Sequence, residues 1–164
     1  MKPDYVLVDA SYYLYRAHYA SSHNPLSTKD GFPTGIIKFM SMMFHKLIVS
    51  YDCPIVAVFD SKKENSFRRE IYADYKATRK PTPEEITEQF VPVCEMLRHM
   101  GICLVKRNGF EADDIIYTLS QSAYRNKKNC LILTGDKDLG QCINKYVWLL
   151  DTKSDKRTDA KALY

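Results

Sequence analysis

Neither a Cys-x-x-Cys pair nor a His-Glu-x-x-His stretch occurs anywhere in the 164 residues, which removes the common thiolate and imidazole frameworks for zinc. His18, His23, His45 and His99 are widely separated. The five cysteines, Cys53, Cys94, Cys103, Cys130 and Cys142, are odd in number, scattered and mostly embedded in apolar segments. They read as reduced core thiols of a cytosolic protein. No apolar run reaches the length of a membrane span. The first ten residues already contain two aspartates and lack the apolar core of a secretion signal. Low-complexity tracts are missing too. With 45% hydrophobic and 27% charged residues, the chain predicts one folded domain over residues 1–164.

A large net charge is also lacking, since the total is only +4. Its distribution says more than its size. Between Lys62 and Lys80 stand seven bases (Lys62, Lys63, Arg68, Arg69, Lys76, Arg79, Lys80) against three acids (Glu64, Glu70, Asp74), an excess equal to that of the whole chain. Such clustering is the electrostatic footprint that a polyanion requires.

Five short runs, Tyr5–Val8, Ile55–Phe59, Ile102–Lys106, Cys130–Thr134 and Tyr146–Leu150, read as strands. They are apolar almost throughout, as strands of a parallel sheet buried on both faces are. Helical patterns lie between them: Gly35 to Tyr51 with a broad apolar face, a helix from Thr82 to a terminating Gly101, and Phe110 to Arg125. Thr82-Pro83-Glu84-Glu85 predicts a capping box with proline at the first helical position, and Pro92 a kink. Alternation of strand and helix predicts a doubly wound α/β fold in three layers, with a mainly parallel five-stranded sheet. Ser61–Pro81 is polar, basic and longer than usual for a strand-to-helix connection; it is expected to stand off the body. Asp159 to Tyr164 read as a cap and the first turn of a helix, as though the chain were cut short.

Acids recur where those strands end. Asp9 closes the first and Asp60 the second; Glu111, Asp113 and Asp114 open the helix after the third; Asp136 and Asp138 follow the fourth. Carboxyl ends of parallel strands share one rim, where ligands bind. Seven carboxylates gathered there repel one another unless positive charge sits among them. Oxygen-only ligands favour hard ions, Mg²⁺ or Mn²⁺, and two such ions could clamp an in-line phosphoryl displacement. Any single one of these residues is more often a turn residue or helix cap; the coincidence of four strand ends carries the reading.

The basic segment interleaves cations with aromatics. On a helix, Arg68, Tyr72, Lys76 and Arg79 or Lys80 share a face suited to phosphates, with Arg69 in the same run, while Phe67 or Tyr75 could stack on an unpaired base. A solvated, charge-laced helix is the ordinary alternative.

Taken in order, Val8-Asp9-Ala10-Ser11-Tyr12-Tyr13-Leu14-Tyr15-Arg16-Ala17, Pro33-Thr34-Gly35, Val58-Phe59-Asp60, Phe67-Arg68 with Tyr75-Lys76 and Arg79, Gly109-Phe110-Glu111-Ala112-Asp113-Asp114 and Thr134-Gly135-Asp136-Lys137-Asp138 resemble the 5′ nuclease domain of bacterial DNA polymerase I and related flap endonucleases. The likeness spans nearly all of the chain. It implies a PIN-like, resolvase-like fold, one metal ion on Asp9, Asp60, Glu111 and Asp113, and a second on Asp136 and Asp138 with Asp113 or Asp114. It further implies that the segment at about 61–83 is a helical arch admitting a single-stranded 5′ end. Lys76 and Arg68 would stabilise the scissile phosphate, Arg16 and Arg79 would contact neighbouring phosphates, and Tyr75 would orient the unpaired nucleotide. The family's helix-hairpin-helix region and a further aspartate motif are not found here.

The expected activity is divalent-metal-dependent hydrolysis of DNA near a 5′ end, for primer or flap removal in replication and repair. The expected partner is DNA with a 5′ single-stranded end or flap, with no membrane and no organic cofactor, the protein acting as a cytoplasmic monomer. Competing readings are a fragment that binds single-stranded DNA and metal without efficient turnover, a receiver-type signalling domain, and a PIN-like ribonuclease. The receiver reading leaves the basic insertion without a purpose.

Overall fold

The computed structural model describes residues 2–61, 67–72, 74, 75, 78 and 80–162. Six strands, β1 (Tyr5–Asp9), β2 (Ile55–Phe59), β3 (Cys103–Lys106), β4 (Cys130–Leu133), β5 (Val147–Asp151) and β6 (Lys156–Thr158), form one sheet in the order β3-β2-β1-β4-β5-β6. The first five are parallel; β6 pairs antiparallel with β5. Around the sheet lie α1 (Ala10–Ser21), α2 (Gly35–Ser50), α3 (Phe67–Ile71), α4 (Glu84–His99) and α5 (Ala112–Arg125), with a 3₁₀ helix at Lys137–Cys142. Among the described residues no helix is long and apolar enough to cross a membrane.

Strand side chains alternate between two cores, as the pleat dictates. Val6, Val8, Ala57, Phe59, Leu131 and Leu133 join α1, α2 and α4 on one face. On the other, Leu7, Val58, Cys130 and Ile132 meet Ile115 and Ile116 of α5 and Leu139 of the 3₁₀ helix. Burial on both faces explains why β2 and β4 are apolar at every position. The chain winds from β1 out to β3 and then returns to place β4 on the opposite side of β1. The switch point therefore falls between β1 and β4, and there the ends of the strands open a crevice.

Several expectations need correction. The sheet has a sixth strand: Lys156–Thr158 is short and polar, and it pairs only because the turn through Asp155, in the left-handed region at φ 51°, folds it onto β5. Helix α1 carried no strong periodic signal. Asp9 caps it, its Oδ1 accepting the Tyr12 N–H at 3.1 Å. The capping box lies at a different helix from the one expected. Helix α4 has Pro83 as its cap residue with no side-chain cap bond, and Thr82, one residue earlier, instead accepts the Tyr15 hydroxyl at 3.4 Å. The capping box present belongs to α5, formed by Glu111 and Asp114. Helix α4 ends at His99 with Gly101 in the left-handed conformation, φ 79°, as a terminating glycine should be. In its middle, buried Gln89 presents Oε1 to the N–H groups of Ile36 and Ile37, at 3.0 and 3.2 Å. That single oxygen caps α2, whose own Thr34 makes no side-chain cap bond.

The described part of the basic segment does not stand off the body. The Ser61 N–H donates to Phe110 O and the Phe67 N–H to Gly109 O, each at 3.1 Å. The rings of Phe67 and Phe110 pack at a 43° tilt with centroids 5.4 Å apart. Helix α3 also ends at Ile71, so no described helix carries the face proposed through Tyr72 to Lys80.

Candidate active site: a carboxylate-lined cleft

Buried strands stop where their carboxyl ends reach solvent, and here they stop on acids. Asp9, Asp60, Glu111, Asp113 and Asp136 line one cleft of about 460 Å³. Hydrogen bonds between strand ends fix their arrangement. The Asp60 N–H donates to Ser11 Oγ at 2.8 Å, and Asp60 Oδ1 accepts the Ala112 N–H at 2.7 Å. Asp9 receives Tyr12 N–H on one oxygen and the Thr134 hydroxyl on the other, at 3.1 and 3.0 Å. Thr134 Oγ1 in turn accepts the Asp136 N–H at 3.0 Å. The opposite wall is aromatic, with Tyr12, Tyr15 and Tyr19 along α1, and Lys80, Pro81 and Pro83 close the rim.

Asp9 is only 4% exposed. Burial pushes its carboxyl up to about 7, partly offset by the bonds from Tyr12 and Thr134, with the charges of Asp113 and Asp60 adding to the rise. Burial and neighbouring like charges both disfavour the ionised form unless positive charge is brought near. Among the described residues, no group of three or more acids, histidines or cysteines gathers tightly enough to hold an ion. The expected cage of oxygen ligands is not closed among the described residues; the acids line an open cleft.

Two predicted ligands do not line the cleft. Asp114 accepts both arms of the Arg68 guanidinium, at 2.7 and 2.6 Å. Asp138 is exposed in the 3₁₀ helix, its N–H bonded to Asp136 Oδ1 at 2.9 Å. Of the predicted nucleic-acid contacts, Tyr75 donates its hydroxyl to Glu111 Oε2 at 3.3 Å, and Lys80 lines the cleft. Tyr72 is exposed, and Phe67 packs on Phe110. Arg16 turns away towards the β5–β6 hairpin, donating to Thr152 Oγ1 at 2.8 Å and lying over the rings of Tyr13 and Phe39. Lys76, Arg79 and the Arg69 side chain lie outside the described residues. The sequence reading missed Thr134, Ser11 and the tyrosine wall. The spacing of Tyr12, Tyr15 and Tyr19, three and then four apart, was the available signal once α1 is known to be a helix.

An open parallel sheet with a carboxylate-lined cleft at its switch point defines a resolvase-like α/β domain. Residues 4–164 match the family described as 5′-3′ exonuclease, N-terminal resolvase-like domain, and the chain belongs to that family. It is 40% identical over 155 residues to DNA polymerase I of Pseudomonas aeruginosa, an alignment covering 94% of this chain and 17% of the polymerase. Identity is 38% over 150 residues to a 5′-3′ exonuclease of Buchnera aphidicola, covering 90% of this chain and 48% of that protein. Among solved structures, T5 5′-exonuclease with bound divalent zinc superposes with a TM-score of 0.73 at 19% identity, over 97% of this chain and 59% of that one. The catalytic core of Rad2 in complex with DNA substrate gives 0.58 at 18% identity, over 99% and 50%. At these identities the two structures attest the fold. The chain thus spans less than two thirds of these relatives.

Proposed function

We propose that the cleft hydrolyses DNA phosphodiesters near a 5′ single-stranded end or flap, with Mg²⁺ or Mn²⁺, as in the removal of primers and flaps. The observation that carries this reading is the delivery of five carboxylates, from three strand ends and one helix start, into one cleft. Asp9, Asp60, Glu111, Asp113 and Asp136 are the residues that would hold the ion. Once bound, it supplies acidity to water and positive charge to offset the phosphate. The tyrosines of α1 offer faces on which unpaired bases can stack, and Lys80 at the rim draws the backbone inward. The charge that builds on the phosphate is met by Arg68 and, following the family resemblance, Lys76.

The test is incubation of the purified chain with a labelled 5′-flap duplex, with and without Mn²⁺. Metal-dependent release of short 5′ products is expected, and Asp113→Asn should abolish it while leaving the circular dichroism spectrum unchanged. Cleavage by that variant at the wild-type rate would overturn the assignment.

A second reading follows from the openness of the cleft, where no three ligands gather tightly among the described residues. On this reading the chain binds single-stranded DNA and metal with little turnover. Calorimetric titration with Mn²⁺ separates the two: two sites filling favour the enzyme, and one weak site favours the binding module.

A further inference from the structure

Asp113 and Asp114 are neighbours in the first turn of α5, and a step of about 100° along a helix sends their carboxylates to different sides. Asp113 lines the cleft and Asp114 does not. Instead Asp114 holds the guanidinium of Arg68 through two bonds of 2.7 and 2.6 Å. The same carboxylate accepts the Glu111 N–H at 3.0 Å, closing the capping box of α5. Arg68 lies 3.6 Å from Glu111 Oε2 and covers the rings of Phe67 and Tyr75 at 5.0 and 5.7 Å.

Two-point pairing fixes the plane of a guanidinium as well as its place. With 28% and 22% of their side-chain surfaces exposed, both partners are mostly withdrawn from solvent. The alternative acid for Arg68 is Glu111, a cleft residue. An arginine released from Asp114 would lose the fixed plane in which its guanidinium can meet a phosphate.

We propose that Asp114 is the positioning residue of Arg68, holding its guanidinium beside the mouth of the acid cleft for the substrate phosphate, and takes no part in holding the divalent ion. The inference rests on the nuclease reading above. Two adjacent acids thus serve different ends, Asp113 facing the ion and Asp114 facing the arginine.

Wild type, Arg68→Gln, Asp114→Asn and the double variant decide it, by calorimetric Mn²⁺ titration and by kcat and KM on the 5′-flap duplex. Asparagine keeps an acceptor for the Glu111 N–H, so the start of α5 survives. Asp114→Asn is expected to bind Mn²⁺ with wild-type stoichiometry and within about twofold of its affinity. Its kcat should fall about tenfold with KM little changed, and the double variant should be no slower than Arg68→Gln by more than about twofold. Loss of a Mn²⁺ equivalent in Asp114→Asn, or losses that multiply in the double variant, overturn the proposal. Asp114→Glu gives a second readout if the asparagine variant does not fold: reduced kcat with unaltered Mn²⁺ binding supports it, and altered Mn²⁺ binding overturns it. If wild type does not cleave, the nuclease reading fails on its own, and a denaturant double-mutant cycle on the same four proteins still tests the pair. Absence of coupling there removes it.

Discussion

The Thr134 hydroxyl donates to Asp9 Oδ2 at 3.0 Å and accepts the Asp136 N–H at 3.0 Å, so one buried oxygen joins the ends of β1 and β4. Its loss should be felt in ion binding before it is felt in the fold. Thr134→Val keeps the volume and deletes both bonds. We expect a stability loss of about 1–2 kcal/mol in urea and a fall in Mn²⁺ affinity of about tenfold or more, with Thr134→Ser restoring most of it. Equal Mn²⁺ affinity in the valine variant would show that the bond does not orient Asp9.

Asp9 makes the metal-free protein pH-sensitive. Its carboxyl is raised from 3.8 to about 7 in the folded chain, chiefly by burial, so folding favours the protonated form. Relative to the protonated protein, the cost of ionising Asp9 begins as pH passes 3.8, grows until about 7 and is constant above it. At about 1.4 kcal/mol per unit, this cost at pH 8 is on the order of 4 kcal/mol. Asp9→Asn removes it. The metal-free variant should therefore be more stable than wild type at pH 8 and closer to it at pH 5, while Mn²⁺ stabilises wild type alone. Parallel stability profiles for the two proteins would refute this.

Gly135 has no room for a side chain, because an added Cβ would overlap the hydroxyl and ring of Tyr12. Gly135→Ala should cost about 1–3 kcal/mol and push Tyr12 out of the cleft wall. Combining it with Tyr12→Ala should recover stability relative to the sum of the single changes. Strict additivity in thermal melts would argue against the contact.

Gln89 caps α2 from another helix, its Oε1 meeting the N–H groups of Ile36 and Ile37. Gln89→Leu leaves those donors unpaired in the core, and a loss of about 1–3 kcal/mol is expected with cleavage chemistry unaffected at temperatures where the variant is folded. A variant as stable as wild type in urea would show the donors are satisfied otherwise.

The sheet was legible because its central strands β1, β2 and β4 are covered on both faces and carry no polar alternation. Strand β6 was not, since a three-residue polar strand is defined by its turn and its partner. Helix α1 escaped because its tyrosines divide between core and cleft: Tyr13 is buried while Tyr12 and Tyr15 line the site. The acids at the strand ends could be read off the order of elements. Their division could not: Asp113 and Asp114 are chemically identical in sequence, and only the angle between successive helix residues and the arrival of Arg68 separate them. The β5–β6 hairpin, which brings Thr152 to the Arg16 guanidinium, was invisible in the pattern.

The bond from Thr134 to Asp9 spans 125 positions. During synthesis the first acid of the cleft leaves the ribosome long before the hydroxyl bonded to it, and the residues between include every other acid that lines the cleft except Asp136. A chain in which β4 has not yet paired with β1 therefore lacks the hydroxyl that holds one oxygen of Asp9.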